Sequence, residues 1–204
     1  MKKNLPNILV IIRLLMAALV IAFLLLDVIL PFASYPQFYV SYASINVSYF
    51  NFVALFIFIL AALTDWLDGY LARKWNVISV FGKIFDPLAD KILVNSVLII
   101  FTVFGRIPIW ITILFITRDF LVDGLRIHLS TKSITLSAKK WGKLKTLFQF
   151  IGLIVLFIIF SPRESIGFNY NSLNGLSLIP LGIGLGFSIF SGFSYYYEYW
   201  NEIF

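Results

Sequence analysis

The sequence predicts an all-α, polytopic membrane protein with six transmembrane helices, and three observations carry that prediction. Hydrophobic residues fill 60% of the 204 positions and charged residues only 13%, too few to solvate the exterior of a water-soluble domain of this length. The mean hydropathy is +0.93. Apolar runs near the length needed to cross a bilayer, about 20 residues, recur along the chain with short polar connections. No room is left for a large extramembrane domain, so 1–204 reads as a single membrane domain. The net charge of +6 then reflects Lys and Arg flanking the spans, and no nucleic-acid partner is expected. With no cysteine there is no disulfide, thiolate nucleophile or Cys-ligated metal, and one histidine, His128, cannot build a His-rich site.

The first apolar run, Ile8 to Leu30, is interrupted only by Arg13 near its start and Asp27 near its end. It is too long for a signal-peptide core and lacks a small-residue cleavage site, so it is expected to be a retained helix. Arg13 is expected to snorkel to the near interface. Pro31 to Ser48, with its prolines, tyrosines and serines, suits an interfacial loop with an aromatic belt. The second run goes from Phe50 to about Arg73, the third from about Gly82 to Phe104, and the fourth from Ile107 to about Leu129. After a basic stretch ending at Lys145 come the fifth, Thr146 to Phe160, and the sixth, Leu176 to about Tyr197. In the sixth, Gly182-x-x-x-Gly186 is expected to pack helices closely within the bundle. Six spans starting inside put fourteen Lys and Arg on the side of both termini, leaving Arg106 and Arg163 opposite. That bias places both termini in the cytoplasm, together with the ends of spans two, three and four.

Acidic residues number 10, yet Asp65, Asp68, Asp86 and Asp90 fall within 26 positions. A carboxylate at membrane depth costs about 2.5–3.5 kcal/mol, so such groups face a polar cavity or a partner. Residues three or four apart share a helix face, and the connection from Lys74 to Phe85 lets the two pairs meet at one depth. Four anions at close range repel and must be neutralised by protons, by Arg or Lys, or by divalent cations. All-oxygen ligation favours Mg²⁺ or Mn²⁺, with Ca²⁺ the other hard cation. Two such ions on shared carboxylates suit phosphoryl transfer. Gly69, next to Asp68, and Gly82, four before Asp86, remove side chains where a substrate would approach the backbone. Each piece also has a plain structural reading. Asp-x-x-Asp-Gly describes a helix C-terminus with a glycine cap, and Asp86-Pro87 a helix start.

Taken together, Asp65-x-x-Asp68-Gly69-x-x-Ala72-Arg73, eight residues, then Gly82-x-x-x-Asp86-x-x-x-Asp90 resembles the complete signature of the CDP-alcohol phosphatidyltransferases. These integral membrane enzymes transfer a phosphatidyl group from CDP-diacylglycerol, or a related phospho-headgroup, to an alcohol and release CMP. The resemblance implies a six-helix fold, a homodimer and two divalent ions per active site, Mg²⁺ or Mn²⁺. Carried over by position, it makes Asp65, Asp68, Asp86 and Asp90 metal ligands and Asp90 also the base for the acceptor hydroxyl. Asp68, Gly69, Ala72, Arg73 and Gly82 would border the CDP moiety.

The signature leaves the acceptor open. Arg118 and Arg126 near the end of span four, with Lys143 and Lys145 opening span five, would make a cationic pocket suited to a phosphorylated alcohol. The plainer alternative is that Arg118, Asp119, Asp123 and Arg126 pair within their helix and the lysines meet lipid headgroups. Arg118-Asp119, Gly124-Leu125-Arg126 and Gly142-Lys143-x-Lys145-Thr146-x-x-Gln149 are similar to the glycerol-3-phosphate-using branch of the family, the phosphatidylglycerophosphate synthases. So are Asn4-Leu5-Pro6-Asn7, Arg13 and Thr64-Asp65-Trp66-Leu67-Asp68. Asp119 departs from the Glu of that branch, and Lys139 and Lys140 have no counterpart in it. The resemblance implies CDP-diacylglycerol and glycerol 3-phosphate as substrates, in a multi-pass protein of the cell membrane with its site on the cytoplasmic side. The alternatives are another acceptor, such as inositol phosphate, phosphatidylglycerol or serine, or, from a different class, a cation-coupled transporter.

Overall fold

The computed structural model describes residues 5–30, 37–40, 45–75, 80–132, 134, 139–159 and 172–203, with the side chains of 5–7, 9, 28, 37–40, 45–47, 65–75, 80–84, 86–87, 172–174, 176–177, 201 and 203 outside that description. Six long helices carry the described chain: α1 (Leu5–Ile29), α2 (Tyr49–Trp75), α3 (Val80–Val103), α4 (Ile109–Thr131), α5 (Lys140–Ile159) and α6 (Ser172–Glu198). A short α7 (Trp200–Ile203) follows. The expected loop before the second span is replaced by a small antiparallel hairpin, β1 (Gln37–Val40) on β2 (Ile45–Ser48), in the register Gln37↔Ser48 to Val40↔Ile45. Phe38, Tyr39, Val40, Ile45 and Val47 are the β-branched and aromatic residues that favour strands.

Among the described residues, three helices are long and apolar enough to cross a membrane: Val10–Asp27, Lys140–Ile159 and Leu178–Glu198. Tyr49–Thr64 is a shorter apolar stretch. Helix α4 carries Arg118, Asp119, Asp123 and Arg126, which lower its mean hydropathy as a span. Helix α5 starts at Lys140, six residues before the expected Thr146, because the basic residues continue the helical turn beyond the apolar run.

The chain divides into two compact units, 1–106 with 156–167, and 107–155 with 168–204. In the first, α1 packs on both α2 and α3. Its buried face runs Val10, Arg13, Ala17, Val20, Leu24, Asp27, a spacing of three and four that keeps one stripe inward. Ile8, Ile11, Ile12, Leu15 and Leu19 point outward, as an apolar solvent permits. Ser48 caps α2, its Oγ accepting the Asn51 N–H at 3.0 Å. Asn51 in turn donates from Nδ2 to the Phe157 carbonyl at 2.7 Å, satisfying a carbonyl in the last turn of α5. The Phe157 ring sits 5.5 Å from Phe58 and 5.1 Å, edge-on, from Phe101. Helix α3 closes with a Schellman motif. Gly105 takes φ 70°, its N–H donates to Thr102 at 2.9 Å, and Arg106 donates to Phe101 at 2.8 Å.

In the second unit α4 packs on α6 through Val122, Leu125, Leu129 and Tyr195. Trp141 and Phe148 of α5 meet Phe187 of α6 at 5.6 Å each. The glycines of α6 correct the expected packing motif. Gly182 and Gly186 are exposed with open space where a Cβ would stand. The close approach is made at Gly184, whose added Cβ would lie 3.3 Å from the Gln149 nitrogen, and at Gly192, against the Arg118 stem at 3.4 Å.

Candidate active site

Helices α2 and α3 are joined through residues 76–79 alone, and both pack chiefly on α1. Asp65 and Asp90 each stand ten residues from the connected helix ends, and Asp68 and Asp86 seven and six. At a rise of about 1.5 Å per residue these are depths of roughly 15 Å for the first two and roughly 10 Å and 9 Å for the others. Counted along each helix from the connected ends, the two carboxylate pairs stand at similar distances. The side chains of Asp65, Asp68, Ala72, Arg73 and Asp86, and the surroundings of Gly69 and Gly82, lie outside the described residues.

Asp90 is described, and its setting is informative. Its carboxylate, 37% exposed, receives Arg13 Nη1 at 3.3 Å, although Arg13 lies 77 positions earlier on α1. Arg13 does not snorkel as expected. It is fully buried on the inward stripe of α1, because Asp90 supplies the charge that a lipid interface would otherwise have to supply.

The second unit holds a buried polar cluster in which two of the four sequence-predicted acceptor residues meet. Lys145 Nζ donates to both carboxylate oxygens of Asp119, at 2.6 and 2.7 Å, and each side chain is 8% exposed. Arg118 Nη1 reaches Asp119 Oδ1 at 3.1 Å, its Nε donates to the Ser188 carbonyl at 2.9 Å, and its Nη2 donates to Ser191 Oγ. Gln149, one turn beyond Lys145, is buried beside it on the helix. Gln149 Nε2 and Ser188 Oγ have no partner among the described residues.

Arg126 and Lys143 are elsewhere. Arg126 is exposed and pairs with Asp123 one turn back at 3.8 Å, as the plainer intrahelical reading anticipated. Lys143 is exposed because two residues along a helix turn it about 200° from Lys145. Lys139, which has no counterpart in the resembled branch, is also accounted for. Its ammonium donates to the Ser194 carbonyl and hydroxyl at 2.8 and 2.7 Å, pairs with Glu198, and lies 4.9 Å from the Tyr195 ring centroid. Ser188 and Ser191 escaped the sequence reading. The signal was present as serines three apart, Ser188, Ser191 and Ser194, following the apolar and glycine-rich stretch of α6.

Residues 3–185 match the family model described as CDP-alcohol phosphatidyltransferase. The chain belongs to the CDP-alcohol phosphatidyltransferase family. Among its relatives, a protein of Mycoplasma genitalium is 34% identical over 99% of this chain and 86% of its own length. One from Bacillus subtilis is 39% identical over 72% of this chain and 73% of its own, and one from Rickettsia typhi 34% over 95% and 96%. All three are named CDP-diacylglycerol–glycerol-3-phosphate 3-phosphatidyltransferase. Enzymes of this family depend on divalent metal. The donor set fits that need: four carboxylates on two consecutive helices offer only oxygen, the chemistry a hard divalent ion selects.

Proposed function

We propose that this membrane protein transfers the phosphatidyl group of CDP-diacylglycerol to glycerol 3-phosphate, yielding phosphatidylglycerophosphate and CMP. The observation that carries the reading is the complete aspartate signature on α2 and α3, in a chain similar over nearly its whole length to proteins named for that reaction. A hydroxyl oxygen of glycerol 3-phosphate attacks the phosphatidyl phosphorus. The bond from that phosphorus to the CMP oxygen breaks, and the hydroxyl proton passes to Asp90. Two divalent ions, Mg²⁺ or Mn²⁺, held by Asp65, Asp68, Asp86 and Asp90, would offset the charge on the diphosphate. Asp68, Gly69, Ala72, Arg73 and Gly82 border the CDP moiety in this reading.

Arg118 and Lys145 form the cationic core for the acceptor phosphate. Two cations against one Asp119 leave a net positive charge, and Gln149 and Ser188 offer further donors. Arg126 and Lys143, both exposed, attract the phosphorylated acceptor from solvent. The chain is a single membrane domain with six spans, both termini cytoplasmic and the site on the cytoplasmic side of the cell membrane. It works as a homodimer. The test is CMP release by the purified protein with CDP-diacylglycerol and Mg²⁺, comparing glycerol 3-phosphate, inositol phosphate, phosphatidylglycerol, serine and no acceptor. Release stimulated by glycerol 3-phosphate alone supports the reading. Stimulation by another alcohol reassigns the acceptor, and no release from folded protein removes the reaction.

A further inference from the structure

The Arg13–Asp90 pair is asymmetric. Its cation is fully buried among Val10, Ala17 and Val20 on the inward stripe of α1, while its carboxylate is 37% exposed. Enclosing a guanidinium is unfavourable by several kcal/mol before its partner is counted. An arginine about two turns into a membrane helix has an easier course in snorkelling to the interface. The inward course therefore calls for something that the buried position accomplishes, and the contact at 3.3 Å across 77 residues shows what it reaches.

Asp has a broad, roughly two-fold terminal torsion, so an unrestrained carboxylate samples a range of orientations. A donor fixed in the core removes that freedom. Arginine suits this better than lysine, because its planar fork is rigid while an ammonium swivels on a flexible stem. The open side of the Asp90 carboxylate stays accessible, so restraint at Oδ1 does not seal the group from a substrate.

We infer that Arg13 is the positioning residue for Asp90: from the core of α1 it fixes the orientation of the one carboxylate that accepts the acceptor's proton. The inference rests on the reaction proposed above and adds to it a residue on a helix outside the α2–α3 signature. A reacting group displaced by about 1 Å loses on the order of 100-fold in rate. Loss of Arg13 is therefore expected chiefly in kcat, with substrate binding spared.

The test compares full-length wild type with Arg13→Met, Arg13→Lys, Asp90→Asn and the double variant Arg13→Met/Asp90→Asn, in the same detergent and lipid. Methionine fills the buried space without charge, so a role confined to packing predicts wild-type turnover. Positioning predicts that Arg13→Met lowers kcat about 100-fold while both KM values stay within about threefold, and that Arg13→Lys recovers part of the loss. A second readout needs neither turnover nor metal. In chelator-treated protein, the effect of Asp90→Asn on melting temperature should be smaller in the Arg13→Met background than in wild type, since the partner is already gone. Wild-type kcat in Arg13→Met overturns the inference, as does strict additivity of the two substitutions in melting temperature. If Arg13→Met does not fold, Arg13→Lys decides alone, because full activity there leaves the planar fork without a role. Absence of CMP release from wild type sinks the proposed reaction instead, a failure that the metal-free cycle keeps separate from that of the Arg13 contact.

Discussion

Asp119→Asn is the most informative single perturbation of the second unit. Asparagine keeps the shape of the side chain and removes its charge, leaving Lys145 buried without its counter-ion. The contacts at stake are two from Lys145 at 2.6 and 2.7 Å and one from Arg118 at 3.1 Å, among side chains 8% exposed at Asp119 and Lys145 and 15% at Arg118. At that burial solvent screening is weak, and removing one partner of such a pair costs about 3–5 kcal/mol. For a chain of this length each kcal/mol lowers the melting temperature by about 2–4 °C, so the expected fall is roughly 6–20 °C. Intrinsic tryptophan fluorescence of the detergent-solubilised protein follows the transition, with Trp110 on α4 and Trp141 on α5 reporting from the same unit. The double variant Asp119→Leu/Lys145→Met supplies the control. Exchanging a whole buried ion pair for apolar residues is often neutral or stabilising, so it should melt within about 4 °C of wild type. An Asn variant within about 2 °C of wild type, or a double variant as unstable as the two single changes summed, would refute the account of Asp119 as the counter-ion of this cluster.

Three further outcomes follow from the same geometry. Lys145→Met should raise KM for glycerol 3-phosphate by about 10- to 100-fold, the loss of one charge-assisted contact, and leave KM for CDP-diacylglycerol unchanged in steady-state CMP release. Because the chain has no cysteine, single cysteines report topology against a silent background. In intact cells a membrane-impermeant maleimide should label Ser34→Cys and Ser165→Cys but reach Asn76→Cys and Ser137→Cys only after permeabilisation, and the reverse pattern would overturn the six-span orientation. Gly184→Leu should lower stability by about 1–3 kcal/mol because a Cβ added there would already lie 3.3 Å from Gln149 and Phe148, whereas Gly186→Leu, in open space, should fall within about 0.5 kcal/mol of wild type in thermal unfolding.

The helices and the aspartate signature were legible in the sequence for different reasons. Long apolar runs announce helices through length alone, and Asp65, Asp68, Asp86 and Asp90 stand out because acids are scarce in this composition. What escaped was whatever depends on helix phase or on distant partners. Gly182 and Gly186 have the spacing of a packing motif, yet the face of α6 turned to α5 carries Gly184, and only the packed helix fixes that phase. Lys143 and Lys145 look equivalent as neighbours in a basic stretch, and one is exposed and the other buried. The strands 37–40 and 45–48 were hidden by the prolines, tyrosines and serines of the 31–48 segment, which speak for a loop as readily as for strands. Arg13 carried a local cue for snorkelling, while its actual partner lies 77 residues away, beyond the reach of periodicity.

The two described acid–base contacts between helices also separate the roles of their carboxylates. Asp90 keeps 37% of its side chain open while its cation is enclosed, whereas Asp119 and Lys145 are enclosed together. A carboxylate that must take a proton from a substrate has to remain reachable, and Asp90 satisfies that condition. Asp119 does not, so its charge acts on Lys145 and Arg118 rather than on a reacting hydroxyl. On the proposed reading this makes Asp119 a competitor of the acceptor phosphate for the same two cations. The phosphate brings more negative charge and more acceptor oxygens than one carboxylate, and Gln149 Nε2 and Ser188 Oγ stand in the same cluster as further donors. Binding then exchanges one set of charge-assisted contacts for another without leaving a buried cation bare at any stage. An uncharged acceptor such as inositol offers no anion for that exchange, and serine offers a single carboxylate offset by its own ammonium, which is the physical ground for expecting a phosphorylated alcohol at this site.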